Sequence, residues 1–229
     1  MTGPPSLSII IPVLNESASI VASLTALASF RARGAEVIVV DGESTDCTAA
    51  LAAPLADFVI SCARGRATQM NAGAAIARGD VFLFLHADTH LPPEADRLVV
   101  DGLARSGRAW GRFGVTIEGR HPLLPIVAAL MNARSRLTGI ATGDQAMFVT
   151  REAFDAVGGF PEIALMEDVE IARRLKHVSL PLSLRARVTT SGRRWESRGV
   201  VRTILLMWRL RLAYFFGAKP GDLARRYDA

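Results

Sequence analysis

The chain has 229 residues, of which 50% are hydrophobic and 21% charged; that excludes global disorder and is enough to bury a core without disulfide or metal staples. The formal charge is +5 and the sequence pI about 10.0, carried almost wholly by arginine, since Lys176 and Lys219 are the only lysines. Cys47 and Cys62 lack metal-ligand spacing and read as buried free thiols in a reducing compartment, and no basic stretch leads into an apolar one as in a secretory signal.

Strand and helix alternate through the first half. Residues 7–12 read as a strand, and residues 17–30 as a helix with Ser17 as cap and Ile20, Leu24 and Leu27 on one face. Residues 36–40 form a second strand, after which Thr45 or Asp46 caps a helix reaching about Leu51. A short strand at 58–60 precedes a helix from about Arg66 to Ala77, ended by Gly79. Residues 81–85 are a fourth strand, and Pro92-Pro93-Glu94 opens the next helix. This rhythm predicts a parallel sheet covered on both faces, with right-handed crossovers.

The second half is less regular. Strands are expected at 109–117, 146–149 and 182–188, and helices at 123–137 and 167–176, the latter acidic at its start and basic at its end. No boundary is sharp enough to define a second domain. Residues 199–216 form the last long helix, with Val201, Leu205, Trp208, Leu212 and Phe215 on one face and Arg198, Arg202 and Arg209 on another. It is too short and too charged to span a bilayer. Two readings stay open: packing on the body of the domain, or lying in a membrane interface.

Dinucleotide, P-loop and serine-elbow signatures are missing from the sequence. What stands out is a set of apolar strands with polar residues at their carboxyl ends: Asn15-Glu16, Asp41, and His86-Ala87-Asp88. Such residues predict one site at one edge of a parallel sheet. Asp41, beside Gly42, either accepts an N–H from a base edge or caps the next turn. Asp88 is the best candidate metal ligand, because Mg²⁺ or Mn²⁺ needs only one or two carboxylates when phosphate oxygens complete its shell. His86 lines the same pocket and is a second candidate ligand. Glu167 and Asp168 either act chemically or compensate a helix dipole, and the helix start is expected to hold their pKa values down. Glu170 is placed to pair with Arg174. Asp144 is a sugar contact or a turn residue.

The runs Ser8 to Glu16, Val40 to Asp46 and Leu85 to Thr89, followed by Gly143-Asp144-Gln145 and Met166 to Glu170, together resemble a family-2 glycosyltransferase of the GT-A fold, of the small single-domain bacterial type. The resemblance implies an α/β, Rossmann-like, mostly parallel sheet flanked by helices. It implies a nucleotide-sugar-binding half at 1–105, an acceptor half at 106–195 and a helical extension at 196–229. Pro12, Asn15, Glu16, Asp41, Arg66, Asn71, Gly73, Ala87 and Asp88 would bind the nucleotide sugar, with Asp88 on a divalent cation, Mn²⁺ or Mg²⁺. Asp168 would be the general base, with Asp144, Glu167, Arg194 and Trp195 on the acceptor side. His86 departs from the family pattern, which has Asp there.

The implied reaction is inverting transfer from a UDP- or GDP-linked sugar to a sugar, lipid-linked or small-molecule acceptor. The alternative is a nucleotide-sugar-binding protein without efficient transfer. A nucleotidyltransferase would need a Gly-rich, Arg-containing loop after the first strand, where this chain has Pro12 to Glu16. A nucleic-acid partner is not expected. The expected place is the cytoplasm, at the inner face of the membrane if residues 198–216 make peripheral contact.

Overall fold

Period-2 and period-3.6 apolar patterns become strands and helices over most of the chain. The computed structural model describes residues 6–228. In chain order these form β1 (Leu7–Val13), α1 (Ile20–Thr25), α2 (Ala28–Ala32), β2 (Glu36–Asp41), α3 (Thr48–Ala52), β3 (Phe58–Ser61), α4 (Arg66–Ile76), β4 (Val81–Phe84), β5 (Thr89–His90) and α5 (Ala95–Ser106). There follow β6 (Trp110–Glu118), α6 (Leu124–Thr138), a 3-10 turn (Gly143–Gln145), β7 (Met147–Thr150), α7 (Arg151–Ala156), α8 (Glu167–Val178), β8 (Leu182–Ser191), α9 (Arg193–Arg198), α10 (Val200–Phe215) and α11 (Pro220–Asp228).

One sheet runs in the order β3-β2-β1-β4-β7-β6-β8-β5. The first four strands are parallel, so their carboxyl ends share one edge. Beyond β4 the sheet is mixed: β7 is antiparallel to both β4 and β6, β8 is parallel to β6, and β5 is antiparallel to β8. The parallel sheet expected from the βα rhythm is present in the first half, and the antiparallel strands of the mostly parallel sheet lie where that rhythm stops.

Alternate strand residues feed two cores, as a sheet buried on both faces requires. Ile9, Ile11, Val37 and Val39 pack with Ile20, Leu24, Leu27 and Phe30. Ile10, Ile38, Val40, Phe82 and Phe84 pack with Met70, Ala74 and Phe160. On that second face α4 lies close to the sheet, because a Cβ at Gly73 would stand 2.5 Å from Ile10 Cγ2.

Several local expectations are corrected. Residues 17–30 break into α1 and α2, and Ser17 precedes both, donating its N–H to Asp46 Oδ2. Ser23 and Thr25 hydroxyls bond back to the carbonyls of Ser19 and Val21, a pattern that weakens and bends helices. Cys47 is exposed and Cys62 half-buried; both are free, but neither is a core thiol. The short elements β5, α7, α9 and α11 lie beyond the sequence reading.

The helix over 199–216 is present as α10, but its apolar stripe does not pack. Trp208 is 64% and Phe215 81% exposed. The helix docks through its other side, where Leu210 is 2% exposed and meets Met166 and Leu223. Among the described residues no helix is long and apolar enough to cross a membrane.

Candidate active site

The loops after β1 and β2 are locked together. Asn15 takes a left-handed backbone, with φ of 54°, which asparagine tolerates better than most residues. Its N–H donates to Ser44 Oγ at 2.9 Å, and its Oδ1 accepts the Thr45 N–H at 2.9 Å. The Glu16 N–H donates to Thr48 Oγ1. Beneath them Gln69, a residue the sequence reading passed over, donates its amide to the carbonyls of both Val13 and Val40. A lone glutamine on a helical apolar face gives little warning of such a role. Pro12 is half-buried at the end of β1.

One oxygen of Asp41 serves the turn and the other does not. Its Oδ2 accepts the Ser44 N–H at 3.0 Å and shapes the turn. Its Oδ1 is buried and has no hydrogen-bond partner among the described residues. A buried acceptor in that state is costly unless a donor arrives. Glu16 accepts from Ser19 Oγ and lies 4.0 Å from Arg193 Nη2, which brings α9 to the first strand's end.

At the end of β4, the carbonyl of Ala87 accepts from Ser23 Oγ and that of Asp88 accepts the Ser191 N–H. Asp88 is half-buried. Among the described residues no three His, Cys, Asp or Glu side chains gather as a metal cage. A single carboxylate still fits a hard cation that arrives with a diphosphate, since phosphate oxygens and water fill the remaining positions. His86 makes its contacts elsewhere: Nδ1 is 3.4 Å from Asp144 Oδ1, and the Nε2–Cε1 edge of the ring stands against Gly143.

The second half of the chain supplies two further carboxylates, Glu167 and Asp168. Met166, left-handed with φ of 72°, turns the chain into α8. Asp168 Oδ2 accepts the Gly143 N–H at 3.0 Å and Oδ1 accepts the Val169 N–H at 2.7 Å. Arg66, His86, Gly143, Glu167 and Asp168 line a cavity of about 20 Å³, walled also by Met70, Phe84, Met147 and Phe160. That is room for about one water.

The electrostatics correct the expectation drawn from the helix start. Burial pushes Asp168 up, against the lowering effect of the Gly143 and Val169 N–H groups and of Arg66. Burial also pushes Glu167 up, reinforced by the charge of Asp168 and opposed by Arg66. Desolvation outweighs the helix dipole here because the carboxylates face protein rather than water. For Arg66 burial works downward, but Glu167, Tyr227, Asp144 and Asp168 more than offset it, so the guanidinium is held charged.

The structure ties the loops of Asn15, Glu16 and Asp41 into one hydrogen-bonded group, and it gathers Arg66, His86, Glu167 and Asp168 around one cavity, with Asp144 beside His86. Two expected donor contacts have other tasks. Asn71 spends both ends of its amide on the Phe160 backbone, at 2.8 and 2.9 Å, and Gly73 is sealed against the sheet. Arg66 stands with Glu167 and Asp168. Trp195 packs on the first core, and the side chain of Arg194 lies outside the described residues. Glu170 pairs with Arg173 as well as Arg174.

The family described as glycosyl transferase family 2 matches residues 8–157. No curated protein matches the chain in sequence. Among solved structures, the chain is similar to the mannosyltransferase PcManGT from Pyrobaculum calidifontis, in complex with GDP-Man and Mn²⁺. The identity is 23% and the TM-score 0.66, with 93% of this chain and 62% of that one covered. It is also similar to S. aureus TarS residues 1–349, at 19% identity and TM-score 0.64, covering 82% of this chain and 60% of that one. The same TarS segment in complex with UDP-GlcNAc matches at 19% identity and TM-score 0.65, covering 81% and 58%. These likenesses show the GT-A fold, and the chain spans about three fifths of the length of those structures.

Proposed function

This chain belongs to glycosyl transferase family 2, and we propose that it moves a sugar from a UDP- or GDP-linked donor to an acceptor hydroxyl with inversion at the anomeric carbon. The observation that carries this reading is Asp168, a carboxylate fixed by the Gly143 N–H and raised by burial beside Arg66. A base raised toward working pH is a better proton acceptor than an ordinary surface carboxylate, and positioned proton transfer is typically worth about a hundred- to ten-thousand-fold.

The roles divide by location. Asp41 Oδ1 accepts an N–H from the nucleobase, and the Asn15-Glu16 loop walls the nucleoside. Asp88 would hold the divalent cation; when bound, such a cation neutralises charge developing on the leaving diphosphate. Asp168 takes the proton of the acceptor hydroxyl as that oxygen attacks from the opposite face. The charge of Arg66 works against the burial of Glu167 and Asp168 and so favours the ionised form of both. His86 steadies Gly143 and Asp144 at the mouth of the acceptor side.

The experiment is Asp168→Asn. Transfer is lost while calorimetric binding of UDP or GDP with Mn²⁺ persists; unchanged turnover removes the assignment. A second reading is motivated by His86, which engages Asp144 where the family pattern has a second acid. It is a nucleotide-sugar-binding protein without efficient transfer. Tight, metal-independent donor binding with no donor hydrolysis would favour it.

We also infer peripheral membrane contact through α10. Its unpacked stripe of Val201, Leu205, Trp208, Leu212 and Phe215 is exposed, and so are Arg202 and Arg209 beside it. Apolar and basic residues side by side on one helix fit the interface of an anionic bilayer.

A further inference from the structure

β6 and α6 bury guanidinium nitrogens that have no hydrogen-bond partner among the described residues. Arg112 is 1% exposed. Its Nη1 donates to the Phe113 carbonyl at 3.0 Å, while Nε and Nη2 are buried without a hydrogen-bond partner among the described residues. Arg134 repeats the pattern: its Nε and Nη2 are buried and partnerless among the described residues, as is the neighbouring Ser135 Oγ. Arg136 is exposed at the end of the same helix. Burial first, then the like charges of Arg136 and Arg134, pull Arg112 down to about 10.

Unpaired buried charge is among the most expensive things a fold can hold. Buried polar groups are normally satisfied, and an exception calls for a missing partner. The partner these groups lack is an anion. A guanidinium fork suits a tetrahedral oxyanion, which accepts several N–H donors at once.

The cluster lies on the acceptor flank of the site. Arg112 is the cross-strand neighbour of Met147, and directly paired residues share a sheet face. Met147 lines the cavity of Glu167 and Asp168. Arg134 feels the charges of Asp168 and Asp144, which partly counter the lowering effect of its burial. Asn132, one turn before Arg136, ties α6 to β6 through both groups of its amide.

We propose that Arg112, Arg134 and Arg136 receive a phosphate-type group carried by the acceptor, on the same molecule as the hydroxyl that Asp168 deprotonates. The proposal rests on the transferase reading above and names the class of acceptor that reading leaves open. A small soluble phosphate ester and a lipid-borne phosphate present the same chemistry to these residues.

The test is calorimetric titration of the full chain with inorganic phosphate, in buffer containing Mg²⁺ with UDP or GDP added to fill the nucleoside pocket. Phosphate is expected to bind, and Arg134→Gln and Arg136→Gln are each expected to weaken it by about tenfold, the usual scale for a lost charge-assisted contact. Their nucleotide affinity stays unchanged. These two positions carry the test because Arg112, fully enclosed, also supports the fold. Absence of phosphate binding, or equal binding by both variants, overturns the proposal. Phosphate binding without any nucleotide binding leaves the anion site standing and defeats the transferase reading instead. Dodecyl phosphate below its micellar concentration forms the second arm. Affinity well above that of inorganic phosphate, and lost in the same variants, assigns the anion to a lipid; equal affinity assigns it to a soluble ester.

Discussion

The backbone N–H of Gly143 points at Asp168 Oδ2 from 3.0 Å, so a turn between α6 and β7 fixes a carboxylate on α8. The turn is itself held from behind, because the imidazole of His86 occupies the space that a side chain at residue 143 would need. Strand end, turn and helix start thus form one chain of contacts from β4 to Asp168.

That chain predicts the effect of Gly143→Ala. The added methyl overlaps His86 Nε2 and Cε1, and either the ring or the turn must shift. The N–H then misaligns with Asp168. Turnover is expected to fall by about tenfold or more, on the scale of a lost hydrogen bond to a charged group, with donor affinity unchanged. Steady-state kinetics alongside nucleotide calorimetry checks this. A wild-type kcat would mean that the Gly143–Asp168 contact has no part in the reaction.

The raised carboxylates give a pH signature. Asp168 must be ionised to accept a proton, so kcat falls as pH drops through its raised pKa, above the ordinary carboxylate range. Removing the opposing charge with Arg66→Met moves that acidic limb further up. The stability consequence has the opposite sense. A carboxyl that binds its proton more tightly when folded favours folding while protonated, and that contribution is lost as pH rises from the unfolded value through the folded one. Asp168→Asn is therefore expected to raise the melting temperature at neutral pH by a few degrees and to leave it nearly unchanged at low pH. Thermal melts across pH decide the point; equal melting temperatures for both proteins at neutral pH would count against a strained carboxylate.

What could be read in the sequence tracks what is local. β1, β2 and β4 were legible because uninterrupted β-branched and aromatic runs ended in Asn15, Asp41 and Asp88, and the topology puts those ends on one edge. The mixed half was not legible, because whether Met147–Thr150 runs parallel or antiparallel to β4 depends on pairing across 65 or more residues rather than on pattern. The sign of the Asp168 shift was missed for a related reason. A helix start is visible in sequence, whereas the packing of α8 against Arg66, Gly143 and Phe160 is not. The resemblance implied a donor contact for Asn71; that its amide also bonds the Phe160 backbone, 89 residues away, is something no local pattern announces.

Asp41 offers a cleaner test of nucleotide binding than the catalytic carboxylates. Its free Oδ1 needs a donor, and Asp41→Asn can present an N–H there instead. Two donors then face each other across the base edge. Nucleotide affinity is expected to drop by about tenfold or more, while the turn survives because the amide oxygen can still accept from Ser44. Calorimetry with UDP and GDP reads the loss, and the nucleotide showing the larger loss is the one whose base Asp41 contacts. Undiminished affinity for both would place the nucleobase elsewhere.

The C-terminal helix makes a prediction independent of catalysis. Arg198 is spent on α11, donating to the Tyr227 carbonyl and lying over its ring, whereas Arg202 and Arg209 remain exposed beside the apolar stripe. Trp208 and Phe215 contribute little to folding, because their side chains are mostly in water already. Trp208→Ser with Phe215→Ser should therefore keep the melting temperature and lose flotation with vesicles containing anionic lipid. The wild type should float, and high salt should weaken it, since each basic residue near an anionic surface is worth about 1 kcal/mol and is screened by ions. Leu210→Ser provides the contrast: it strikes the packed side of the same helix and should lower the melting temperature. Failure of the wild type to float on anionic vesicles would leave the stripe with some occupant other than a bilayer.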